Sequence, residues 1–290
     1  MYTSPVIIDF HVHVFSPNIR QKREDYLRKD ACFRSLYSNP KAKLATAEEL
    51  IAAMDEAGVD ISVIHNLGWI SHQLCTETND YILESIARYP RRLIGFCTIQ
   101  PNAGEVAIAE AERCARSGAK GIGELRPDDQ GFDLGDKELL QPLVDTCQKH
   151  NLILLAHASE PVGHLYPGKG EVYPQILYRF VLSFPHQPVV FAHWGGGLPF
   201  YGLMPEVGCN LANAWFDTAA SPFLYRPSIF KHVGEIVGFD KILFGTDYPL
   251  MSQQRLINDI RRLDVLDKEK ILGDNARMLL GLEQRDDRQG

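Results

Sequence analysis

The sequence predicts a single α/β domain folded as a closed (β/α)8 barrel, the TIM barrel, with one long insertion after the first strand. Short β-branched, apolar runs alternate with stretches of helical period along the whole chain, which indicates a parallel sheet covered by helices. Eight such units in about 250 residues are typical of a closed barrel. No change in composition and no Ser/Gly-rich linker divides the 290 residues, so we expect one domain over residues 1–290.

The predicted strands are rich in Val, Ile, Leu and Phe, the pattern of strands buried on both faces of a parallel sheet. They lie at residues 6–10, 59–65, 92–99, 120–125, 151–157, 188–193, 214–218 and 241–247. The rival fold, a doubly wound open sheet, usually carries a glycine-rich phosphate loop after its first strand. Here that position reads HVHVFSPN, without glycine, and the closed barrel is therefore favoured.

Predicted helices fill the intervals between these strands. The clearest begins after Thr46, which forms a capping-box pattern with Glu49, and ends at Gly58, a typical C-terminal cap. Further helices are predicted at residues 76–89, 103–117, 136–150, 174–184 and 252–263. Residues 16–45 fit no barrel element, and we expect them to form an insertion or lid over the barrel mouth.

Composition and charge restrict the class of partner. The net charge is -7 and the pI is about 5.8, without a long basic run, which argues against nucleic acid or an anionic membrane. We find no segment near the roughly 18 apolar residues of a membrane span and no secretory signal pattern. The six cysteines include no C-x-x-C pair, as expected for reduced thiols in a cytoplasmic protein. We expect a cytoplasmic protein that acts on a small molecule.

Polar residues follow the apolar part of nearly every predicted strand, at the barrel end where such folds carry their chemistry. Those able to bind a metal or move a proton are His11, His13, His65, Glu124, His157, His193, Asp217 and Asp247. His11 and His13 share one face because side chains alternate along a strand. Imidazoles and carboxylates are the ligands that zinc and related divalent ions prefer.

These residues predict a metal centre at the barrel mouth. One ion would be bound by His11, His13, His157 and Asp247. The carboxylate of Glu124 could bridge to a second ion held by His157 and His193.

Three other residues are candidates for substrate binding. Arg126, two positions after Glu124, could bind a substrate carboxylate, although a surface salt bridge would explain it equally well. Trp194 could form a wall of the site, and His65 could reach the mouth. Asp217 could support a metal-binding histidine by accepting its second ring proton, or could simply pack.

The sequence resembles the amidohydrolase-related (amidohydrolase 2) branch of the amidohydrolase superfamily, from Val6 to about Leu282. The resemblance is carried, in chain order, by DFHVHVF, GIGELRP, LLAHASEP, VVFAHWGGGLPF, ILFGTDYPL and ILGDNARMLLGL. It implies that His11, His13, His157 and Asp247 are metal ligands and that Asp247 also transfers a proton. His193 corresponds to a position that either holds a second metal or acts on the substrate, and a homodimer is a further possibility.

The branch contains hydrolases, including lactonases, as well as non-oxidative decarboxylases and hydratases. Several superfamily members carry a carboxylated lysine on strand four and many decarboxylase-like members carry no acid there, whereas Glu124 is similar to the bridging glutamate of some hydrolases. We therefore expect a zinc-dependent hydrolase with one or two ions, in which metal-activated water attacks an amide, ester or lactone carbonyl. Asp247 would be the base and then the acid, and His193 would stabilise the oxyanion.

Two alternatives remain open at this point. The first is a metal-dependent non-oxidative decarboxylase of a small aromatic or unsaturated acid, in which the metal acts as a Lewis acid and a proton is delivered to carbon. The second belongs to a different class, a metal-binding barrel without catalysis. A structural zinc site is usually closed by four ligands, and the surplus of acidic residues here argues for an open, catalytic site.

Overall fold

The structure, a computed structural model, describes residues 6–265 and 267–282. Eight parallel strands form one sheet in the order β1 to β8. They are β1 (Ile8–His13), β2 (Ile61–His65), β3 (Leu93–Cys97), β4 (Gly121–Leu125), β5 (Ile153–Ala156), β6 (Val189–Phe191), β7 (Ala214–Asp217) and β8 (Ile242–Leu243). The N–H of Phe10 donates to the carbonyl of Phe244 at 2.7 Å, and that of His13 to Tyr248 at 2.8 Å. The chain after β8 thus joins β1, and the predicted (β/α)8 barrel is confirmed.

Helices separate the strands and cover the outside of the barrel. The longer ones are Ala47–Ala57, His72–Arg88, Glu105–Arg116, Lys137–His150, Pro174–Ser183, Ile229–Val237 and Gln253–Arg261. Shorter helical segments are Pro101–Ala103, Pro127–Gln130, Ala192–Gly195, Leu198–Leu203, Pro205–Gly208, Cys209–Asn213, Ser221–Leu224, Phe239–Lys241, Lys270–Asp274 and Asn275–Leu279. The capping box of Thr46 and Glu49 is present, and Gly58 ends that helix with φ 70°, as predicted.

Two apolar layers hold the barrel together. Inside it, Phe10, Val63, Phe96 and Leu155 pack with other buried side chains from the strands. A larger layer lies between the strands and the surrounding helices. None of the described helices is long and apolar enough to cross a membrane.

The insertion after β1 is helical, which its sequence did not predict. It contains the helices Pro17–Gln21, Arg23–Lys29 and Ala31–Tyr37. Buried aromatic rings of Tyr26 and Phe33 pack with Trp69 in a separate apolar cluster beside the barrel. The last part of the insertion forms one side of the cavity at the barrel mouth.

Two register shifts determine which side chains face the barrel axis. Ile8 and Phe10 belong to the inner layer, yet Val12 belongs to the outer one, because the pairing of β1 with β2 shifts between Asp9 and Val12. Such a bulge re-aims the residues that follow it. A second shift, between Ile122 and Leu125 of β4, leaves both of those side chains in the outer layer.

Candidate metal centre

His11 and His13 lie within β1, after the bulge, and their side chains are buried at the barrel mouth. Their Nε2 atoms are 3.2 Å apart. The Oδ1 atom of Asp247 lies 3.2 Å from Nε2 of His13 and 3.9 Å from Nε2 of His11. Three potential ligand atoms from the two ends of the chain thus converge on one small volume.

A second group of donors surrounds Glu124 at the end of β4. Its Oε1 atom lies 2.9 Å from Nδ1 of His157 and 3.7 Å from Nε2 of His193. Its Oε2 atom lies 3.9 Å from Nε2 of His13. The carboxylate of Glu124 therefore stands between the two groups, and the ligand atoms of His11, Glu124 and His193 lie within 4.8 Å of one another.

Hydrogen bonds determine which ring nitrogen carries the proton in three of the candidate ligands, His11, His157 and His193. Nδ1 of His11 lies 2.8 Å from Asp217 Oδ2, and Nδ1 of His193 lies 3.2 Å from the carbonyl of Ala219. Nε2 of His157 lies 2.9 Å from the carbonyl of Lys169. Since these oxygens accept hydrogen bonds, the ring nitrogens facing them carry the proton in neutral imidazole. The opposite nitrogen of each ring then presents a lone pair to the centre, as metal ligation requires.

The contact between His157 and Glu124 indicates that a cation fits here. Nη1 of Arg126 donates to Nδ1 of His157 at 3.1 Å, so this nitrogen is an acceptor. It nevertheless faces a carboxylate oxygen at 2.9 Å. Two acceptors at this distance repel each other unless a proton or a metal ion lies between them, and the imidazole and carboxylate donors are those of a divalent metal site. Because Nδ1 has one lone pair, an ion bound there would replace the Arg126 N–H as its partner.

The pKa values of the buried cluster also favour a bound cation. Burial raises the pKa of Glu124, whereas the neighbouring imidazoles of His157, His193 and His11 together lower it by more, so its net pKa is well below the usual value. Burial also raises the pKa of Asp247, but the imidazoles of His13, His11 and His193 together lower it by more, so its net pKa is below the usual value. Burial lowers the pKa of His11, whereas the Asp217 carboxylate raises it to a net value of about 10. The ionised carboxylates thus attract positive charge, which a metal ion would supply.

Two of the candidate ligands occupy left-handed backbone conformations. His193 has φ 54° and Asp247 has φ 62°, a region that costs a non-glycine residue about 1–3 kcal/mol and is concentrated at functional sites. The N–H of Asp247 donates to the carbonyl of His11 at 2.9 Å, and the N–H of His193 donates to Asp217. Both residues follow strands that end earlier than predicted, at Phe191 and Leu243. Their position is therefore determined by these hydrogen bonds and not by a strand.

The structure does not bring two of the predicted substrate contacts to the cavity. Trp194 is fully buried, its Nε1–H donates to Ser221 Oγ at 2.7 Å, and its ring packs edge-on against Phe230. His65 is fully buried behind the metal-site rings, with its ring centre 4.6 Å from that of His11 and 4.5 Å from that of His13. Neither residue lines the cavity. We therefore propose supporting roles for both.

A cavity of about 510 Å³ opens above the centre. Its floor includes His13, Glu124, His157, His193 and Asp247. Arg126 also lines it, with its Nε–H donating to Asp129 and Nη2–H to the carbonyl of Gly168, both at 2.8 Å. The remaining wall is largely apolar and includes Leu36, Tyr37, Leu67, Phe223, Leu224 and Leu250. Sequence reasoning missed these residues because they come from the insertion and from loops without a periodic pattern.

Comparisons with known proteins find relatives over the whole described barrel. The family model described as amidohydrolase matches residues 8–282. A 2-amino-3-carboxymuconate-6-semialdehyde decarboxylase from Dictyostelium discoideum is 23% identical, and the alignment covers 95% of this chain and 92% of that protein.

Solved structures with the same fold include two decarboxylases. The 5-carboxyvanillate decarboxylase of Sphingomonas paucimobilis has a TM-score of 0.80 at 18% identity, covering 97% of this chain and all of that one. The 5-carboxyvanillate decarboxylase of Novosphingobium aromaticivorans has a TM-score of 0.78 at 20% identity, covering 96% and 97%. That structure contains manganese and 4-hydroxy-3-methoxy-5-nitrobenzoic acid.

Proposed function

The chain belongs to the amidohydrolase family, and we propose that it is a metal-dependent non-oxidative decarboxylase of a small aromatic or unsaturated acid. The relatives named above are decarboxylases, and they favour this alternative over the hydrolase that Glu124 led us to expect. The observation that carries the proposal is the cavity: metal-type donors form its floor, one guanidinium lies beside them, and the rest is largely apolar.

The donors divide into two sets that could hold a divalent cation. His11, His13 and Asp247 form one set, and Glu124 with His157 and His193 offers the adjacent one. Manganese, present in the relative, and zinc, expected from the ligand types, are both candidates. When bound, the cation supplies Lewis-acid polarisation of a substrate carboxylate or of a neighbouring oxygen.

The residues around the donors suit an acid with a planar, apolar body. Arg126 is buried, and since three of its five N–H groups are engaged by His157, Asp129 and Gly168, two remain for a substrate carboxylate. The leucine and aromatic side chains of the wall would enclose the ring or unsaturated chain and exclude water. A hydrophilic ester or amide would gain less from such a wall.

The proton that replaces the carboxyl group needs a carrier next to the substrate carbon. Asp247 lines the cavity. It is the most exposed of the candidate metal ligands, with 16% of its side chain accessible. In the proposed role the Asp247 carboxylate would accept the proton of the entering acid's carboxyl group and hold it beside the substrate carbon. In the proposed reaction the bond between carbon and the carboxyl group breaks, CO2 leaves, and this proton goes to the same carbon.

The test is CO2 release from a panel of aromatic and unsaturated acids by protein loaded with Mn²⁺ or Zn²⁺, measured beside ester and lactone hydrolysis. We expect CO2 release from at least one acid, and a loss of about 100-fold or more in Asp247→Asn. Asp240→Asn, on the exposed surface, is the matched control and should keep the parent's rate. Hydrolysis without CO2 release would contradict the proposal, and an Asp247→Asn protein as active as the parent would contradict the proton carrier.

Several expectations stay predictions. They are the cytoplasmic location, the homodimer implied by the resemblance, the roles of the site residues, and a single domain over residues 1–290, of which 1–5, 266 and 283–290 lie outside the described residues.

A further inference from the structure

We propose that Tyr37, the last residue of the insertion's third helix, binds the substrate by donating a hydrogen bond from its phenol hydroxyl to an anionic oxygen. This inference rests on the proposed function for the acidic nature of the substrate. Tyr37 follows no strand, and neither the sequence pattern nor the family resemblance assigns it a role.

The position of Tyr37 supports this role. Its side chain is half-buried and lines the cavity together with Glu124, Arg126 and Asp247. Within the described residues, side chains that hydrogen-bond to Tyr37 do so at its backbone carbonyl. The phenol hydroxyl is therefore available to a ligand in the cavity.

The ring of Tyr37 is held in place on two sides. It stacks on Phe33, with ring centres 5.0 Å apart, and meets Phe15 edge-on at 5.1 Å. A hydroxyl on a ring that is already fixed loses little conformational entropy when it binds a ligand. The stacking also means that removal of the hydroxyl alone leaves the packing of the ring intact.

The backbone that carries this ring is fixed by Arg23. Its guanidinium donates to the carbonyl of Tyr37 at 3.0 and 2.6 Å, to that of Asn39 at 2.5 Å and to that of Ala42 at 3.0 Å. These carbonyls end the helix and form the turn after it, where they have few partners in the helix itself. The insertion thus presents Tyr37 to the cavity from a pre-organised segment.

The charge around Tyr37 suits an anionic ligand. Burial raises the pKa of the phenol, and the nearby carboxylates of Asp247 and Glu124 raise it further, so the hydroxyl keeps its proton and acts as a donor. Lys41 and Lys43, on the same segment, also line the cavity. One hydroxyl donor and two cations thus face the cavity from one side, although the chain as a whole carries a charge of -7.

Tyr37→Phe tests the inference, and Tyr26→Phe is its matched control. Tyr26 belongs to the same insertion, but its hydroxyl bonds with Asn18 at 3.0 Å and with Glu77, away from the cavity. The probe is 4-hydroxy-3-methoxy-5-nitrobenzoic acid, titrated by calorimetry into Mn²⁺-loaded protein. Metal content, the melting temperature, and kcat and KM for any acid that the parent decarboxylates complete the measurements.

We expect Tyr37→Phe to raise the Kd of the probe, and the KM, by about 10-fold or more, as for a lost hydrogen bond to a charged group. Metal content and melting temperature should match the parent. Tyr26→Phe should lower the melting temperature while the Kd of the probe changes less than about two-fold.

Three results would overturn the inference: a parent that does not bind the probe, a Tyr37→Phe protein that binds it as tightly as the parent, or an equal loss in Tyr26→Phe. Failure of the proposed function is a different result. If the parent releases no CO2 from any acid, decarboxylation is disproved. If that parent nevertheless binds the probe tightly and the Tyr37→Phe variant binds it weakly, the inference is supported.

Discussion

Asp217→Asn tests whether the carboxylate at the end of β7 determines the metal-binding form of His11. Oδ1 of Asp217 accepts the backbone N–H groups of His193 at 2.9 Å and Ala219 at 3.0 Å, while Oδ2 faces Nδ1 of His11 at 2.8 Å. In the Asp217→Asn variant the two backbone donors would retain the remaining side-chain oxygen. The new NH2 group would then face Nδ1 of His11, and because NH2 only donates, the ring proton would move to Nε2, the atom that should bind the metal.

The expected effect is a loss of metal affinity. Removing a partner of this kind typically costs 10- to 100-fold in affinity, which corresponds to about 1.4–2.8 kcal/mol. The measurement is a competition titration of Mn²⁺ and Zn²⁺ against a chromophoric chelator, with thermal unfolding to verify the fold. The effect should appear in the affinity, since the backbone bonds of the side chain at position 217 are preserved.

Asp9→Asn is the matched control, because Asp9 is an equally buried carboxylate at the same end of the barrel. It bonds to Thr246, Gln253 and the backbone N–H of His11, but to no imidazole ring. This variant should lose stability while keeping most of its metal affinity. The reasoning is refuted if Asp217→Asn binds metal like the parent, or if Asp9→Asn loses as much affinity.

Four other changes have defined outcomes. Glu124→Gln should lower the metal content by one equivalent per chain in elemental analysis, because the carboxylate is shared by two groups of donors; an unchanged content would indicate a mononuclear site. Removal of metal by a chelator should abolish CO2 release and leave the circular dichroism spectrum unchanged, since the core is apolar, and Mn²⁺ should restore the rate; unfolding on chelation would contradict this. Arg126→Lys should raise KM by about 10-fold, because an ammonium group cannot bind a carboxylate in two parallel hydrogen bonds, and an unaltered KM would exclude the contact. Trp194→Phe should cost about 1–3 kcal/mol of stability, because Ser221 loses its partner, with KM nearly unchanged; a large rise in KM would instead place Trp194 at the substrate.

The sequence predicts those parts of the candidate site that lie on or directly after the barrel strands. His11, His13, His157 and Glu124 lie in or directly after apolar runs, and parallel strands of a barrel end at the same rim. Their convergence follows from topology alone. The substrate contacts were less predictable, because a loop side chain has no periodic pattern that reveals its direction.

The sequence by itself determined the barrel, the helix between Thr46 and Gly58, and the histidines and carboxylates that meet at the barrel mouth. Those features depend on periods of 2 and 3.6 residues and on local caps, which adjacent residues specify. Only the tertiary structure decided that bulges in β1 and β4 direct His11 and Glu124 inward, and that His193 and Asp247 adopt left-handed conformations. It likewise decided the burial of Trp194 and the exposure of Tyr37 to the cavity. The physical reason is that each of these depends on contacts and hydrogen bonds with segments distant in the chain.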